Sequence, residues 1–246
     1  MSTIRYYARL NAERADKQLL NRPEVLKLND FGSQLGFGLS VFEQRQFFRP
    51  PGTAEGWSPE APQPLLTWPF LDFVEHLDLG EQSLIELGSG YSTIWFSPRF
   101  ANVRSFETQT EWYSALKGRV GANVELCLLS PEQLEGAGFD YRGEQWLVVD
   151  FAGRRSAFLS HFLASRVGHD RPGAIVLDNA EWYRRGAGLL LQHGYLEIPF
   201  YGFKAGQPWL SCTSLFIDPA RFAPTQQPRF FMPPFSREMD NAWDEI

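Results

Sequence analysis

Five short strand-like stretches, at 83–87, 103–106, 124–129, 146–149 and 174–177, punctuate the middle of this chain, and helical patterning follows four of them. That alternation constrains the fold more than any other feature. Strands that alternate with helices come to lie parallel in an open sheet with helices over both faces. The first run, Leu84-Ile85-Glu86-Leu87, is nearly continuous in apolar residues, as a strand buried on both faces requires. The helical stretches run from Ser92 to near Pro98, over 109–118, through Phe158, Phe162 and Leu163, and through Leu189–Leu191, with His193-Gly194 as a stop signal. Two last strands, 195–201 and 213–217, have only a loop containing Gly and Pro between them. They predict a hairpin and an antiparallel final strand.

Upstream, Thr67 reads as a helix N-cap with Pro69 in the first turn. Phe70, Phe73, Val74 and Leu77 then share one helical face. Residues 3–20 carry an amphipathic helical pattern, and 26–64 are rich in Gly, Pro, Phe and Gln. The division expected is an N-terminal extension or lid at 1–64, a core domain at 65–218 and an extended tail at 219–246.

The 246 residues are 43% hydrophobic, enough for one sizeable core. A net charge of -6 argues against nucleic acid as a partner, which calls for a basic footprint. Cys127 and Cys212 are the only cysteines and lie in or near apolar runs, so they read as reduced core thiols. No run reaches the roughly 18–20 apolar residues of a membrane helix, and the N-terminus lacks a secretory apolar segment. The expected location is the cytoplasm, with no membrane partner.

The first run ends in Glu86-Leu87-Gly88-Ser89-Gly90-Tyr91-Ser92-Thr93. Gly88 and Gly90 let the backbone approach a ligand closely, since each lacks a Cβ and can take φ > 0. Glu107 follows about twenty residues later at the end of the second run, where a carboxylate can accept both hydroxyls of an adenosine ribose. Dinucleotide sites use the same device. Two features separate this chain from them: Glu86 would repel a pyrophosphate, and Thr93 stands where a third glycine is expected.

Five parallel strands, a closing hairpin and an acidic-Gly-x-Gly turn resemble the class I S-adenosylmethionine-dependent methyltransferase superfamily. The fold this implies is α/β and Rossmann-like: a seven-stranded, mostly parallel sheet with an antiparallel last strand, helices on both faces and an N-terminal helical or irregular extension. Leu66-Thr67-Trp68-Pro69, Glu107…Trp112-Tyr113 and Asp178-Asn179-Ala180-Glu181-Trp182-Tyr183 resemble a bacterial methyltransferase-like group of undefined substrate. The resemblance places Glu86, Gly88, Ser89 and Gly90 under the methionine part of S-adenosylmethionine, with Ser92 at the helix start, Glu107 on the ribose and Ser130 by the adenine.

Asp150 ends the fourth run and Asp178-Asn179 ends the fifth. Two carboxylates and an amide carbonyl at neighbouring strand ends suit a hard divalent cation such as Mg²⁺. The pattern is similar to the metal site of catechol-type O-methyltransferases. There the metal lowers the pKa of the hydroxyl being methylated, and Asp150 becomes the catalytic candidate. Those enzymes carry a lysine three residues after the first Asp. Here Gly153 takes that place, followed by Arg154 and Arg155, which cannot act as bases. The competing reading has Asp150 contacting substrate or the methionine ammonium, and Asp178-Asn179 capping the next helix. Arg154, Arg155, Arg184 and Arg185 read either as anion clamps or as solvated first turns, and Trp182-Tyr183 either as pocket wall or as packing. His76, His161, His169 and His193 have no partners at ligand spacing and read as structural.

The implied activity is methyl transfer to an oxygen or nitrogen of a small molecule or glycan. The alternatives are a methyltransferase-like binding protein without catalysis and, with less support, a nicotinamide-dependent enzyme. The sequence carries no signal for oligomeric state.

Overall fold

The computed structural model describes Arg45 and residues 63–166, 170–222 and 225–226. The apolar runs pair as their alternation predicts. β1 (Ser83–Leu87), β2 (Asn102–Glu107), β3 (Val124–Leu128), β4 (Trp146–Val149), β5 (Ala174–Asp178), β6 (Leu196–Lys204) and β7 (Gln207–Ile217) form one sheet. Its order is β3-β2-β1-β4-β5-β7-β6. β1 to β5 are parallel, and β7 runs antiparallel to both β5 and β6. Around the sheet lie α1 (Trp68–Glu75), α2 (Tyr91–Phe96), α3 (Thr110–Leu116), α4 (Pro131–Glu135), α5 (Arg155–Ala164) and α6 (Arg184–Gln192). This is the methyltransferase-like Rossmann topology that the resemblance implies.

Side chains along the strands alternate between two apolar layers, as a period of two dictates. Leu84, Trp146, Val148 and Val176 meet Phe70 and Val74 of α1 and Phe96 of α2 on one face. Ile85, Leu87, Leu147, Val149 and Leu177 meet Phe158 and Phe162 of α5 and Leu190 of α6 on the other. Phe158 and Phe162 are completely buried. Each such ring contributes about 1.5–3 kcal/mol of burial, so this face fixes the position of β4 and β5 relative to α5. The chain leaves β1 toward β2 and β3, then crosses back to β4 on the other side. The strand ends beside that reversal form the crevice where open α/β sheets hold ligands.

Three details depart from expectation. The hairpin strands are longer than 195–201 and 213–217, and only Ala205-Gly206 joins them, with Gly206 at φ +68°. Pro199 lies within β6, which the edge of a sheet tolerates. Thr67 is the N-cap residue of α1, as expected, but its side chain makes no capping bond: its hydroxyl donates to the Phe200 carbonyl at 3.0 Å, and its N–H donates to Thr213 Oγ1 at 3.0 Å. Ser130 opens α4, a helix absent from the reading above, where its Oγ accepts from Gln133 N–H at 3.2 Å.

Leu77–Asp78 pairs with Thr225–Gln226 as a short antiparallel bridge. Arg45 reaches α1 and pairs with Asp72 at 2.5 Å. The helix expected at 3–20, the lid role of 1–64, most of the tail and His169 lie outside the described residues. Both cysteines are free thiols, Cys212 buried and Cys127 half-buried. Among the described residues no helix is long and apolar enough to cross a membrane.

Candidate functional site

A cleft of about 240 Å³ opens at the carboxyl edge of the sheet. One end is built by the turn after β1. Gly88 has φ +93°, and a Cβ there would come within 2.3 Å of the Asp150 carbonyl oxygen, so only glycine fits. Gly90 differs: its backbone is extended, and a Cβ would meet no heavy atom within 4 Å. Its missing side chain leaves open space in the cleft wall, beside Ser89, Tyr91 and Ser92.

Glu107 lies at the end of β2 on the same wall. Its Oε1 accepts from the backbone N–H groups of Thr108 at 2.7 Å and Gln109 at 2.8 Å, which fixes the carboxylate in place. Burial raises its pKa, and these backbone donors pull it back down. Gln109 and Trp112 continue the wall, with the Trp112 ring edge-on to Tyr91 at 6.2 Å.

Glu86 and Ser130 are not brought to the cleft. Ser130 is exposed at the α4 N-terminus. Glu86 is fully buried beneath the turn, on the face of β1 that carries Leu84. The β1–β2 register sets it opposite Ser105. Ser105 Oγ and Thr93 Oγ1 both donate to its Oε2 at 2.6 Å, Ser89 Oγ meets Ser105 Oγ at 2.6 Å, and Gly90 N–H donates to Thr93 Oγ1 at 2.9 Å. Its Oε1 has no partner among the described residues. Glu86 therefore holds the turn from below and does not line the cleft.

Burial pushes the Glu86 pKa up to about 7, against the pull of the Ser105, Ser92 and Thr93 hydroxyls. A carboxylate whose folded pKa is raised favours the folded state at low pH, and that contribution is lost as pH rises through the folded value. Glu86→Gln removes the term. The variant should therefore melt higher than wild type at about pH 8, by an amount on the order of 2–3 kcal/mol, with the advantage gone by about pH 5. Thermal melts of both proteins across that range check it; parallel curves would contradict the assignment.

The other end of the cleft is a cluster of charges. Asp150, Asp178 and Asn179 converge there, as the strand ends predict. Arg155, at the start of α5, donates from Nη2 to Asp150 Oδ1 at 2.8 Å, from Nε to the Phe151 carbonyl at 2.8 Å and from Nη1 to the Asp178 carbonyl at 2.6 Å. It is buried, so it is neither an open anion clamp nor a solvated first turn. Lys204, at the end of β6, pairs directly with Asp178 Oδ2. Thr213 Oγ1 of β7 donates to Asp178 Oδ1 at 2.6 Å. With its amide oriented by these neighbours, Asn179 donates to Asp178 Oδ2 at 2.9 Å and accepts from Lys204 Nζ at 3.2 Å. Burial and the neighbouring Asp178 carboxylate raise the Asp150 pKa above the usual carboxylate range, while Arg155 and Lys204 oppose the rise.

This donor set does not fit Mg²⁺. Each carboxylate already faces a protein cation, and the Asn179 oxygen faces the Lys204 ammonium. Among the described residues no group of three or more His, Cys, Asp or Glu side chains is placed to hold a metal ion. Nor do Asp178 and Asn179 cap α6, which starts at Arg184 after Tyr183. Trp182 is 66% exposed, and the Tyr183 ring lies under Arg155 at 4.8 Å; neither lines the cleft. Arg154 pairs with Glu135 at 2.6 Å on the surface. Lys204 and Gln207 line the cleft and were missed by sequence reasoning, which put both in a loop.

No family model matches the chain, and no curated protein matches it. Solved structures that align with it include methyltransferases. An O-methyltransferase of Bacillus cereus in complex with SAH is 18% identical, with 61% of this chain and 79% of that one covered at a TM-score of 0.47. An O-methyltransferase of Streptomyces achromogenes involved in tomaymycin synthesis, in complex with SAM, is 16% identical over 60% and 76%, at 0.44. A dimethyladenosine transferase of Plasmodium falciparum is 14% identical over 66% and 64%, at 0.46. The fold assignment rests on strand order, and the site on its own geometry.

Proposed function

We propose that the protein binds S-adenosylmethionine in this cleft and transfers its methyl group to an oxygen or nitrogen of a small molecule or glycan. The observation that carries the reading is the joint placement of the glycine turn, a fixed Glu107 and a charged cluster around one cleft. When bound, S-adenosylmethionine supplies an electrophilic sulfonium methyl that a nucleophile takes as S-adenosylhomocysteine leaves. Gly88, Ser89, Gly90 and Ser92 would lie against its methionine part, and Glu107 would accept from the ribose hydroxyls. The open space at Gly90 fits such an occupant.

Asp150 is the candidate base. Arg155 fixes its Oδ1, and a fifth of its side chain remains exposed toward the cleft. A carboxylate with a raised pKa accepts a proton more readily than an ordinary one. Asp150 works only when ionised, so the rate should rise with pH up to its raised pKa and level off above it.

The second reading, binding without catalysis, is favoured by one observation: both acidic groups of the cluster are already paired with cations. Conversion of S-adenosylmethionine to S-adenosylhomocysteine, with a small-molecule extract as acceptor source, separates the two. Catalysis predicts turnover that Asp150→Asn lowers by about a hundredfold or more. A protein that binds the cofactor yet forms no S-adenosylhomocysteine supports the binding reading.

A further inference from the structure

The two cations of the charged cluster have different amounts of donor capacity left. Arg155 spends its Nε, Nη1 and Nη2 on Phe151, Asp178 and Asp150, and it does not line the cleft. Lys204 does line it, although only 1% of the residue is exposed. An ammonium carries three donors. Two meet Asp178 Oδ2 and the Asn179 amide oxygen, leaving one for an occupant of the cleft.

The ammonium is also held stiffly. Asp178 cannot turn away, because Thr213 holds its other oxygen at 2.6 Å. Lys204 itself sits opposite Gln207 in the strand register, at the closed end of the hairpin. Its charge is therefore preorganised and poorly solvated, and such a charge acts strongly on what is placed beside it. It favours an oxygen, which has lone pairs to offer and gains stability as negative charge develops. It disfavours an amine, which arrives as a second cation.

We propose that Lys204 is the resident cation of the acceptor side, standing among Asp150, Asp178 and Asn179 where a divalent metal would stand, and that it positions an oxygen acceptor through its remaining N–H. The proposal rests on reading the cleft as a methyltransferase site. It narrows the acceptor to oxygen and makes the site independent of metal.

Mn²⁺ is the probe that tests it, titrated into the full chain and followed by electron paramagnetic resonance. Binding of S-adenosylhomocysteine is measured in parallel on each protein. Wild type should bind no stoichiometric Mn²⁺ up to about 1 mM. Lys204→Met vacates the position and leaves the Asp178 carboxylate and the Asn179 amide facing it, with Asp150 in the same cleft, so this variant should gain a site at least about tenfold tighter than any wild-type binding. Adding Asp178→Asn should remove the gained site, and Lys204→Arg should not create one. A lysine held away from this carboxylate and amide would not open a metal site when removed. Lys204→Gln is read in the same way should the methionine variant fail to fold.

Stoichiometric Mn²⁺ on wild type, or folded Met and Gln variants without the gained site, overturns the proposal. Loss of S-adenosylhomocysteine binding by wild type would instead strike the methyltransferase reading, so the two failures are distinguishable.

Discussion

Gly88→Ala is expected to lower the stability of the protein by about 3 kcal/mol or more, a change on the scale of the strongest single-site effects. Two costs combine. The backbone sits at φ +93°, where an L side chain is strained, and the added Cβ would meet the Asp150 carbonyl oxygen at 2.3 Å and the Phe151 Cα at 2.8 Å. Those contacts are backbone atoms locked in the sheet, where Asp150 N–H donates to the Leu87 carbonyl at 2.9 Å and Gly88 N–H to the Phe106 carbonyl at 2.8 Å. No rotamer change relieves them. Gly90→Val is the matched control: its backbone is extended and its Cβ has room, so stability should stay within about 1 kcal/mol while ligand binding suffers. Urea unfolding of the two variants beside wild type checks the contrast. Equal losses at the two glycines would contradict it.

Glu107→Gln should weaken S-adenosylhomocysteine binding between about tenfold and about a hundredfold, since hydrogen bonds to a charged acceptor are each worth about 1.5–3 kcal/mol and the amide weakens or replaces them. The fold should tolerate the change. Glutamine keeps an oxygen for the Thr108 and Gln109 N–H groups, which lie only one and two residues away and hold a local turn. Calorimetric titration of the variant, with a thermal melt alongside, reads both numbers. An unchanged affinity would remove Glu107 from the ribose role.

The parallel half of the fold was legible in the sequence because buried strands are short apolar runs and the intervening segments carry helical periodicity. The hairpin was legible in kind but not in length. The stretch containing Gly and Pro between the expected strands 195–201 and 213–217 reads as a loop, and so Lys204 and Gln207 looked like loop residues. For the same reason the cation paired with Asp178 was invisible: it lies on another strand, at no fixed spacing from the Asp-Asn pair. Glu86 illustrates the opposite difficulty. Its place before the glycine turn suggested a ligand contact, yet strand alternation turns it onto the face shared with Leu84 and Val148. Its real partner is Ser105, set opposite it by the strand register. Gly88, Ser89, Gly90, Ser92, Glu107, Asp150, Asp178 and Asn179 do share one cleft, because a parallel sheet brings its strand ends to a single edge.

The central claim is that this cleft takes an adenosyl sulfonium cofactor. Isothermal titration of the purified chain with S-adenosylhomocysteine, S-adenosylmethionine and NAD, under one set of conditions, tests it most directly. The account predicts one-to-one binding of both adenosyl compounds, unchanged by EDTA, with no NAD binding. Saturable binding of NAD with neither adenosyl compound bound would contradict it.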